Sequence, residues 1–229
     1  MTTATRGGLP ERVRQIVAEH ISRLQFGYLA DDAYAVGVLA RLRRGAGKEP
    51  HLVPELLGLV DTSLLYEAPP TSCQPPCEED LFRAADAVHA ALTLWALHQQ
   101  SVGTGMHQSD CHDAPAGLGA AVRRLMPFDI DNTVLKRLVR AGTAPHPIAL
   151  AQRLREIVLL LRREEIPLDY VLLAEQLYRW QQPGGRDVVR RAWGRSFHAF
   201  RHPKWVTRDG AAGSPTVSTD SELVLKDAL

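Results

Sequence analysis

Residues 131–163 have the sequence DNTVLKRLVRAGTAPHPIALAQRLREIVLLLRR, and the spacing of its apolar positions predicts two consecutive α-helices. At about 100° per residue, apolar side chains share one face of the first helix: Val134, Leu135, Leu138 and Val139. Basic side chains share the opposite face: Lys136, Arg137 and Arg140. Gly142 ends this helix and Pro147 begins the next. The stretch therefore predicts helices that pack through one side and present charge on the other.

The same periodicity extends outward over most of the chain, and predicts an all-α fold. Leu, Ala and Arg dominate while aromatic residues make up 6%, which favours helix because straight-chain residues lose little rotamer freedom there. In the first half of the chain, the other helices are predicted from Pro10 to about Leu29, from a cap at Asp31 or Asp32 to Arg44, near Pro54–Asp61, and from Glu78 to Gln100. In the second half, a short helix is predicted to contain Arg123 and Arg124, another to run from Asp169 to about Gln181, and a last one to follow Gly185. From Val206 onward, the Gly, Ser, Thr and Asp content predicts a disordered tail over residues 206–229.

Composition favours a globular cytoplasmic protein. The 229 residues are 45% hydrophobic, which is enough for a buried core, and no apolar run approaches the roughly 20 residues that span a bilayer. Met1–Pro10 lacks the apolar core of a signal peptide. The chain has three cysteines, which is a small and odd number. We therefore expect reduced thiols rather than a disulfide framework.

Charge is segregated along the chain, although 27 Lys and Arg residues nearly balance 26 Asp and Glu residues. Between Gly117 and Arg163 nine basic residues accompany three acidic ones, whereas Glu49–Ala90 contains eight acidic residues and one arginine. Clustered guanidinium groups attract phosphate and release its counterions, so the basic block indicates a polyanion partner. The acidic block, Glu49–Ala90, is a candidate contact surface for a basic protein neighbour.

Several blocks occur in the order expected for one family. They are LARLRR at residues 39–44, LHQQS at 97–101, MH at 106–107, GLG at 117–119, RRL at 123–125, IPLDY at 166–170, LAEQLYRW at 173–180 and VRRAWG at 189–194. Together, over roughly Asp31–Trp205, they resemble the CasB family, the small subunits of the type I-E CRISPR surveillance complex Cascade. The proline- and cysteine-containing loop Glu67–Cys77 and the tail after Val206 depart from that pattern.

This resemblance implies two small helical bundles packed together, which would span residues 10–105, with the acidic block, and residues 115–205, with the basic faces. It implies a protein without catalytic activity of its own. From the sequence itself, which has no cofactor or metal motif and no long apolar run, we expect no cofactor, no metal and no membrane partner. In the family, two copies sit head to tail, contact the other Cascade subunits that carry the crRNA, and hold target DNA with a basic face. The implied role is to stabilise the R-loop in antiviral defence.

The candidate nucleic-acid contacts are basic residues in the early arginine block and in the Gly117–Arg163 block: Arg41, Arg43, Arg44, Arg123, Arg124, Lys136, Arg137, Arg140, Arg153 and Arg155. We expect them to bind phosphates rather than base edges, since a surface that accepts any target must leave base identity to guide pairing. Arginine suits that role because its planar fork binds phosphate bidentately and stays charged.

Other functions have weaker support. Trp95, Trp180 and Trp193 fall on apolar helix faces and are predicted core residues, as Tyr170 and Tyr178 are, while Trp205 is a possible partner contact. A zinc site at Cys73, Cys77, Cys111 and His112 lacks two tight ligand pairs, and a nuclease site at Asp110, Asp113, Asp129 and Asp131 lacks convergent carboxylates. The main alternative is a free-standing helical DNA-binding regulator, but the Pro183-Gly184-Gly185 link does not match the tight turn of a helix-turn-helix.

Overall fold

Helix α4, Glu78–Gln99, lies at the centre of the fold and packs against helices from both ends of the chain. Around it are α1 (Leu9–Leu29), α2 (Ala33–Leu42), α7 (Pro147–Arg163) and α8 (Tyr170–Trp180). Residues 91–99, the second half of α4, are buried on every side. The sequence predicted one core face for α4. The neighbouring helices instead cover its polar positions as well.

The computed structural model describes residues 8–56, 58–67, 76–111, 115–126 and 130–200. The remaining elements in these ranges are α3 (Ser63–Tyr66), α5 (Leu118–Arg124), α6 (Asn132–Gly142) and α9 (Gly185–Ala199), with short 3-10 helices at Arg43–Gly45, Pro50–Leu52 and Pro54–Leu56. Within the described ranges, β-type pairing is limited to one isolated bridge between His107 and Leu168. The predicted all-α class is confirmed, and the predicted tail, residues 206–229, lies outside the described residues.

Aspartate side chains cap the first turns of α2, α6 and α8. Asp32 accepts a hydrogen bond from the Ala35 amide at 2.9 Å, and Asp169 accepts one from the Leu172 amide at 2.8 Å. Asp131 caps α6 in the same way. Each carboxylate satisfies an amide of the first turn that has no partner within its helix.

Two boundaries differ from the sequence predictions. The α-helical part of α2 ends at Leu42, and the chain tightens into the 3-10 helix Arg43–Gly45 rather than continuing to Arg44. The predicted helix near Pro54–Asp61 is replaced by the 3-10 helix Pro54–Leu56 and, beyond it, by α3. Tightening of a last turn into a 3-10 helix is common because it satisfies carbonyls that have no partner further along.

One cluster of buried side chains runs through both predicted bundles, from Leu9 to Phe197. Helix α8, from the predicted second bundle, packs against α1 and α4 of the first. The division at residues 105–115 therefore stays a prediction, because this shared core does not mark it. Among the described helices, none combines the length and the apolarity that crossing a membrane requires.

The aromatic residues predicted for the core are buried there. Trp95, Trp180 and Trp193 are all at most 2% exposed, and Tyr170 and Tyr178 are also buried. Tyr170 Oη lies 2.9 Å from His98 Nδ1 between α8 and α4. Burial lowers the pKa of His98 to about 4 and raises that of Tyr170 well above its usual value, so both groups stay neutral at physiological pH.

Candidate nucleic-acid interface

Helix α7 packs against α6 through contacts that involve basic side chains. Arg137 Nη1 of α6 lies 3.0 Å from Glu156 Oε2 of α7. Nearby, Arg153 of α7 donates a hydrogen bond to the Arg140 carbonyl near the end of α6. These contacts fix the arginines of the two helices relative to one another.

Helix α7 also contacts the turn that follows α2. Gly47 in this turn has φ +78°, a left-handed conformation that favours glycine. A β-carbon at this position would lie 3.2 Å from Arg155 Cδ and 3.6 Å from Gln152 Cα. The turn that carries Arg43, Arg44 and Lys48 therefore lies beside α7. The contacting residues Gly47 and Gln152 are more than 100 positions apart in the sequence.

These contacts bring cations from three separate segments around α7, and we call this set the basic surface: Arg43, Arg44, Lys48, Lys136, Arg140, Arg153 and Arg155. All except the half-buried Arg153 are exposed. Of the exposed members, none has a side-chain ion pair in the described part of the chain. Such side chains are free to bind an external anion. Arg41, also a predicted contact, is exposed on the last turn of α2.

The predicted contact Arg123 does not lie on this surface. Its side chain is 4% exposed, and Nη1 donates a hydrogen bond to the Met126 carbonyl at 2.5 Å. Its guanidinium carbon lies 5.8 Å from the centre of the Phe197 ring. Residues 118–123 of α5 are all buried, so the last turn of this helix keeps its arginine inside, where it satisfies a carbonyl beyond the helix end. Burial therefore removes Arg123 from the candidate set.

Arg124, the next residue, is half-buried and lies over an aromatic ring. Its guanidinium carbon is 5.1 Å from the centre of the Phe200 ring. Burial lowers the pKa of Arg124, while the negative charge of Asp110 opposes that shift. Because an arginine guanidinium stays charged in proteins, Arg124 remains a candidate at the edge of the fold.

Helix α6 is rotated relative to its predicted orientation. Its buried residues are Leu138, Ala141 and Gly142, and at 100° per residue Val139 lies about 110° from the centre of that side. Val139 is accordingly 54% exposed rather than a core residue. Arg137 lies about 90° from the same centre, where it pairs with Glu156, so only Lys136 and Arg140 project directly outward.

Lys48 is a member of the basic surface that the sequence does not predict. In the sequence, Lys48 lies between Gly47 and the start of the acidic block. It is far from residues 136–155, so nothing in the sequence groups it with them. The spacing of Gly45 and Gly47 does indicate a tight turn after α2. The partner of that turn, α7, follows only from the three-dimensional fold.

The acidic block begins next to this surface. Glu49 and Asp86 line one groove of about 530 Å³ between the turn after α2, α4 and the start of α7, together with His89 and His146. Burial raises the pKa of Asp86, and the charge of Glu49 adds to this effect. Further along α4, Asp80 forms an ion pair with Arg83 at 3.0 Å. Some carboxylates of the acidic block are therefore paired or buried within the chain, and others are exposed.

The link between α8 and α9 is tighter than the sequence predicted. It consists of residues 181–184, and Gly184 has φ +71°. A β-carbon at Gly185 would lie 1.7 Å from the Arg179 carbonyl oxygen, so the two helices meet closely. The length of the link is thus compatible with the tight turn of a helix-turn-helix.

The residues considered for a metal site do not all fall in the described ranges. Cys77 and Cys111 are both exposed. Cys73, His112, Asp113 and Asp129 lie outside the described residues, as does Trp205. Asp131 is engaged as the cap of α6, and Asp110 accepts hydrogen bonds from the Ala116 and Gly117 amides.

A model of the family described as CRISPR-associated protein Cse2 matches residues 38–198. The chain belongs to the Cse2 family. The crystal structure of CasB from Thermobifida fusca is 48% identical, with a TM-score of 0.69, and the match covers 82% of this chain and 98% of that one. The resemblance to CasB inferred from the sequence blocks is therefore confirmed.

Two further structures share the fold at lower identity. A Cse2-family protein from Thermus thermophilus is 22% identical with a TM-score of 0.57, over 83% of this chain and 98% of that one. A chain of a CRISPR RNA-guided surveillance complex is 19% identical with a TM-score of 0.60, over 86% of this chain and 99% of that one. A comparison with curated proteins gives no significant match.

Proposed function

We propose that this protein is a non-catalytic subunit of a Cascade-type CRISPR surveillance complex, and that its basic surface binds nucleic-acid phosphates. The observation that carries the proposal is the packing of both the turn 43–48 and α6 against α7, since it gathers exposed cations from three segments of a Cse2-family chain. The name of one structural relative, a CRISPR RNA-guided surveillance complex, supports the assembly. Family membership over residues 38–198 favours this role over a free-standing regulator.

The chemistry of the surface suits backbone phosphates. Arginine binds phosphate through parallel N–H donors, and six of the seven residues that define the surface are exposed on helix faces or on a turn rather than in a recess. Direct readout instead requires side chains matched to particular base edges, which a surface that accepts any target does not use. The proposed ligands are therefore crRNA and target DNA bound without regard to sequence, and the proposed effect is to stabilise the R-loop in antiviral defence in the cytoplasm.

The remaining partners are the other Cascade subunits and a second copy of the chain. The open part of the acidic block supports this proposal, because exposed carboxylates such as Glu55 and Glu78 complement a basic protein surface. The arginines and lysine of the basic surface would be one such complement on a second copy. The chain would act as a scaffold that positions nucleic acid, with the chemistry of target cleavage supplied elsewhere.

The test is a charge reversal at the two outward residues of α6, Lys136→Glu with Arg140→Glu. The variant is reconstituted into a complex with guide RNA, and the lifetime of the R-loop is measured as salt is varied. We expect a shorter lifetime, a shallower salt dependence and an unchanged preference among target sequences, because phosphate contacts carry no sequence information.

The matched control is Arg23→Glu with Arg163→Glu, which reverses two exposed charges on α1 and at the end of α7. It alters net charge equally but leaves the basic surface intact. An R-loop lifetime that falls equally in both variants, or in neither, would contradict the proposal. Thermal unfolding of both proteins checks that the fold is retained.

A further inference from the structure

Helix α9 carries arginines that the basic surface does not include. Arg190 is engaged within the helix, where Nη2 lies 2.7 Å from Asp187 Oδ1. Arg191 and Arg195 are exposed, and neither has a side-chain partner in the described part of the chain. They are four residues apart, so they are neighbours on one side of the helix. The only nearby carboxylate of α9, that of Asp187, is held by Arg190.

The two arginines project away from the core. The buried side of α9 is formed by Val189, Trp193 and Phe197. At 100° per residue, Arg191 and Arg195 each lie about 160° from the centre of that side. Like charges at this spacing repel one another, and an external polyanion would remove that repulsion.

Helix α9 is a rigid support for these side chains. Trp193 Nε1 donates to Gln176 Oε1 of α8 at 2.6 Å, and the Ala120 amide of α5 donates to Ser196 Oγ at 3.1 Å. A β-carbon at Gly119 would lie 2.0 Å from the Trp193 carbonyl oxygen, so the α5 and α9 backbones are in direct contact. A preorganised support of this kind reduces the entropy lost when the arginines bind a ligand.

Helix α9 adjoins the last turn of α6. A β-carbon at Gly142, the last residue of α6, would lie 3.4 Å from Arg190 Cγ and 3.7 Å from Arg190 Cδ. Arg190 therefore lies against the end of the helix that carries Arg140, and Arg191 follows it directly. Helices α6 and α9 therefore meet at the end of α6, two residues after Arg140.

We propose that Arg191 and Arg195 form a second phosphate contact, which extends the nucleic-acid site from α7 and α6 across Gly142 onto α9. This inference rests on the proposed function and lengthens the strand that one copy of the chain holds. The ligand is the phosphate backbone of a nucleic-acid strand that leaves the basic surface at the end of α6. Contacts of this kind are independent of base sequence.

The test replaces both arginines with glutamine, R191Q with R195Q, in the full chain. Binding of a 30-nucleotide single strand and of a duplex of the same length is measured at several salt concentrations. Loss of two phosphate contacts on the single strand should make the slope of log affinity against log salt shallower by about 1.4 and weaken binding on the order of tenfold at 0.1 M salt. The single strand and the duplex show which form uses the site.

Two controls separate charge at this position from general effects. R191K with R195K keeps the charge and should retain most of the binding and the parent salt slope. R23Q with R179Q removes two exposed charges from α1 and α8 and should leave the slope nearly unchanged. A parent-like slope in R191Q/R195Q, or an equal loss in R23Q/R179Q, would overturn the inference.

The outcome also separates this inference from the proposed function. If K136E/R140E weakens binding and R191Q/R195Q does not, the α9 contact is wrong while the basic surface stands. If neither variant changes binding, both proposals fail. If R191Q/R195Q binds nucleic acid like the parent but no longer assembles with the other subunits, α9 is a protein interface and the phosphate contact is refuted.

Discussion

Helices α5 and α6 follow one another along the chain and both carry basic residues, but they place them differently. Arg123 of α5 is buried and bound to the Met126 carbonyl, whereas Lys136 and Arg140 of α6 are exposed and have no side-chain partner within the described residues. Helix α5 is enclosed by α9, while α6 buries one narrow side. The comparison shows that a count of arginines locates a basic segment, but packing decides which of them a partner can reach.

The largest effect is expected where α5 is enclosed most tightly. In Gly119→Ala, the new β-carbon would lie 2.0 Å from the Trp193 carbonyl oxygen and 2.6 Å from the Phe197 amide nitrogen. Neither backbone atom can move without shifting α9, so we expect the free energy of unfolding to fall by about 4 kcal/mol. Urea denaturation measures the change.

Gly194→Ala is the matched control, since no atom lies within 4 Å of a β-carbon there. Alanine is the better helix former by about 1 kcal/mol, so this variant should equal or exceed the parent in stability. Equal stability of Gly119→Ala and Gly194→Ala would show that α5 is not enclosed as described.

A smaller effect is expected from the buried arginine itself. Arg123→Ala removes a charge-assisted hydrogen bond and leaves a cavity, which should lower the free energy of unfolding by about 3 kcal/mol. Arg140→Ala, on the exposed side of α6, should change it by no more than about 0.5 kcal/mol. Denaturation midpoints of the two variants give the comparison directly, and similar losses would remove the distinction between the two helices.

The smallest expected effect is the pH dependence of stability that comes from His98, a buried group that can change its charge. Burial lowers the pKa of His98 to about 4, below its usual 6.5, so between these values the unfolded chain binds more protons than the folded one. Stability should therefore fall as the pH falls, by about 2 kcal/mol from this group between pH 7 and pH 5.

Unfolding measured over that pH range for the parent and for His98→Gln isolates this contribution. The glutamine does not titrate, so its variant should lack this part of the pH dependence. The exposed His198→Gln should behave like the parent. If His98→Gln shows the full pH dependence of the parent, the assignment of a neutral buried histidine is wrong.

Local features of the fold could be predicted from the sequence. The sequence predicts a cap at Asp31 or Asp32, and Asp32 forms it, because a carboxylate before an apolar repeat has one favourable place in a helix. Periodicity, which needs only local spacing, predicts the core positions of Trp95, Trp180 and Trp193. The family was recognised from the order of short blocks, none of which identifies it alone.

What could not be predicted depends on contacts between distant segments. Whether Arg123 faces solvent depends on α9, and whether Val139 is buried depends on how α6 is rotated against α7. The amphipathic pattern of a helix gives the width of its apolar face. It does not give the rotation of that helix about its axis against the helix it packs on. The grouping of Lys48 with Arg155 needs the left-handed turn at Gly47 and a partner more than 100 residues away, which no window of sequence contains.

The contact between Gly47 and α7 has a thermodynamic consequence. It joins an early segment to a late one, so the complete basic surface exists only in the folded chain. A ligand that binds the folded form and not the unfolded form stabilises it by mass action. Under the proposed function, guide or target strands would raise the melting temperature of this subunit, and the nucleic acid that the protein holds would also help to hold the protein folded.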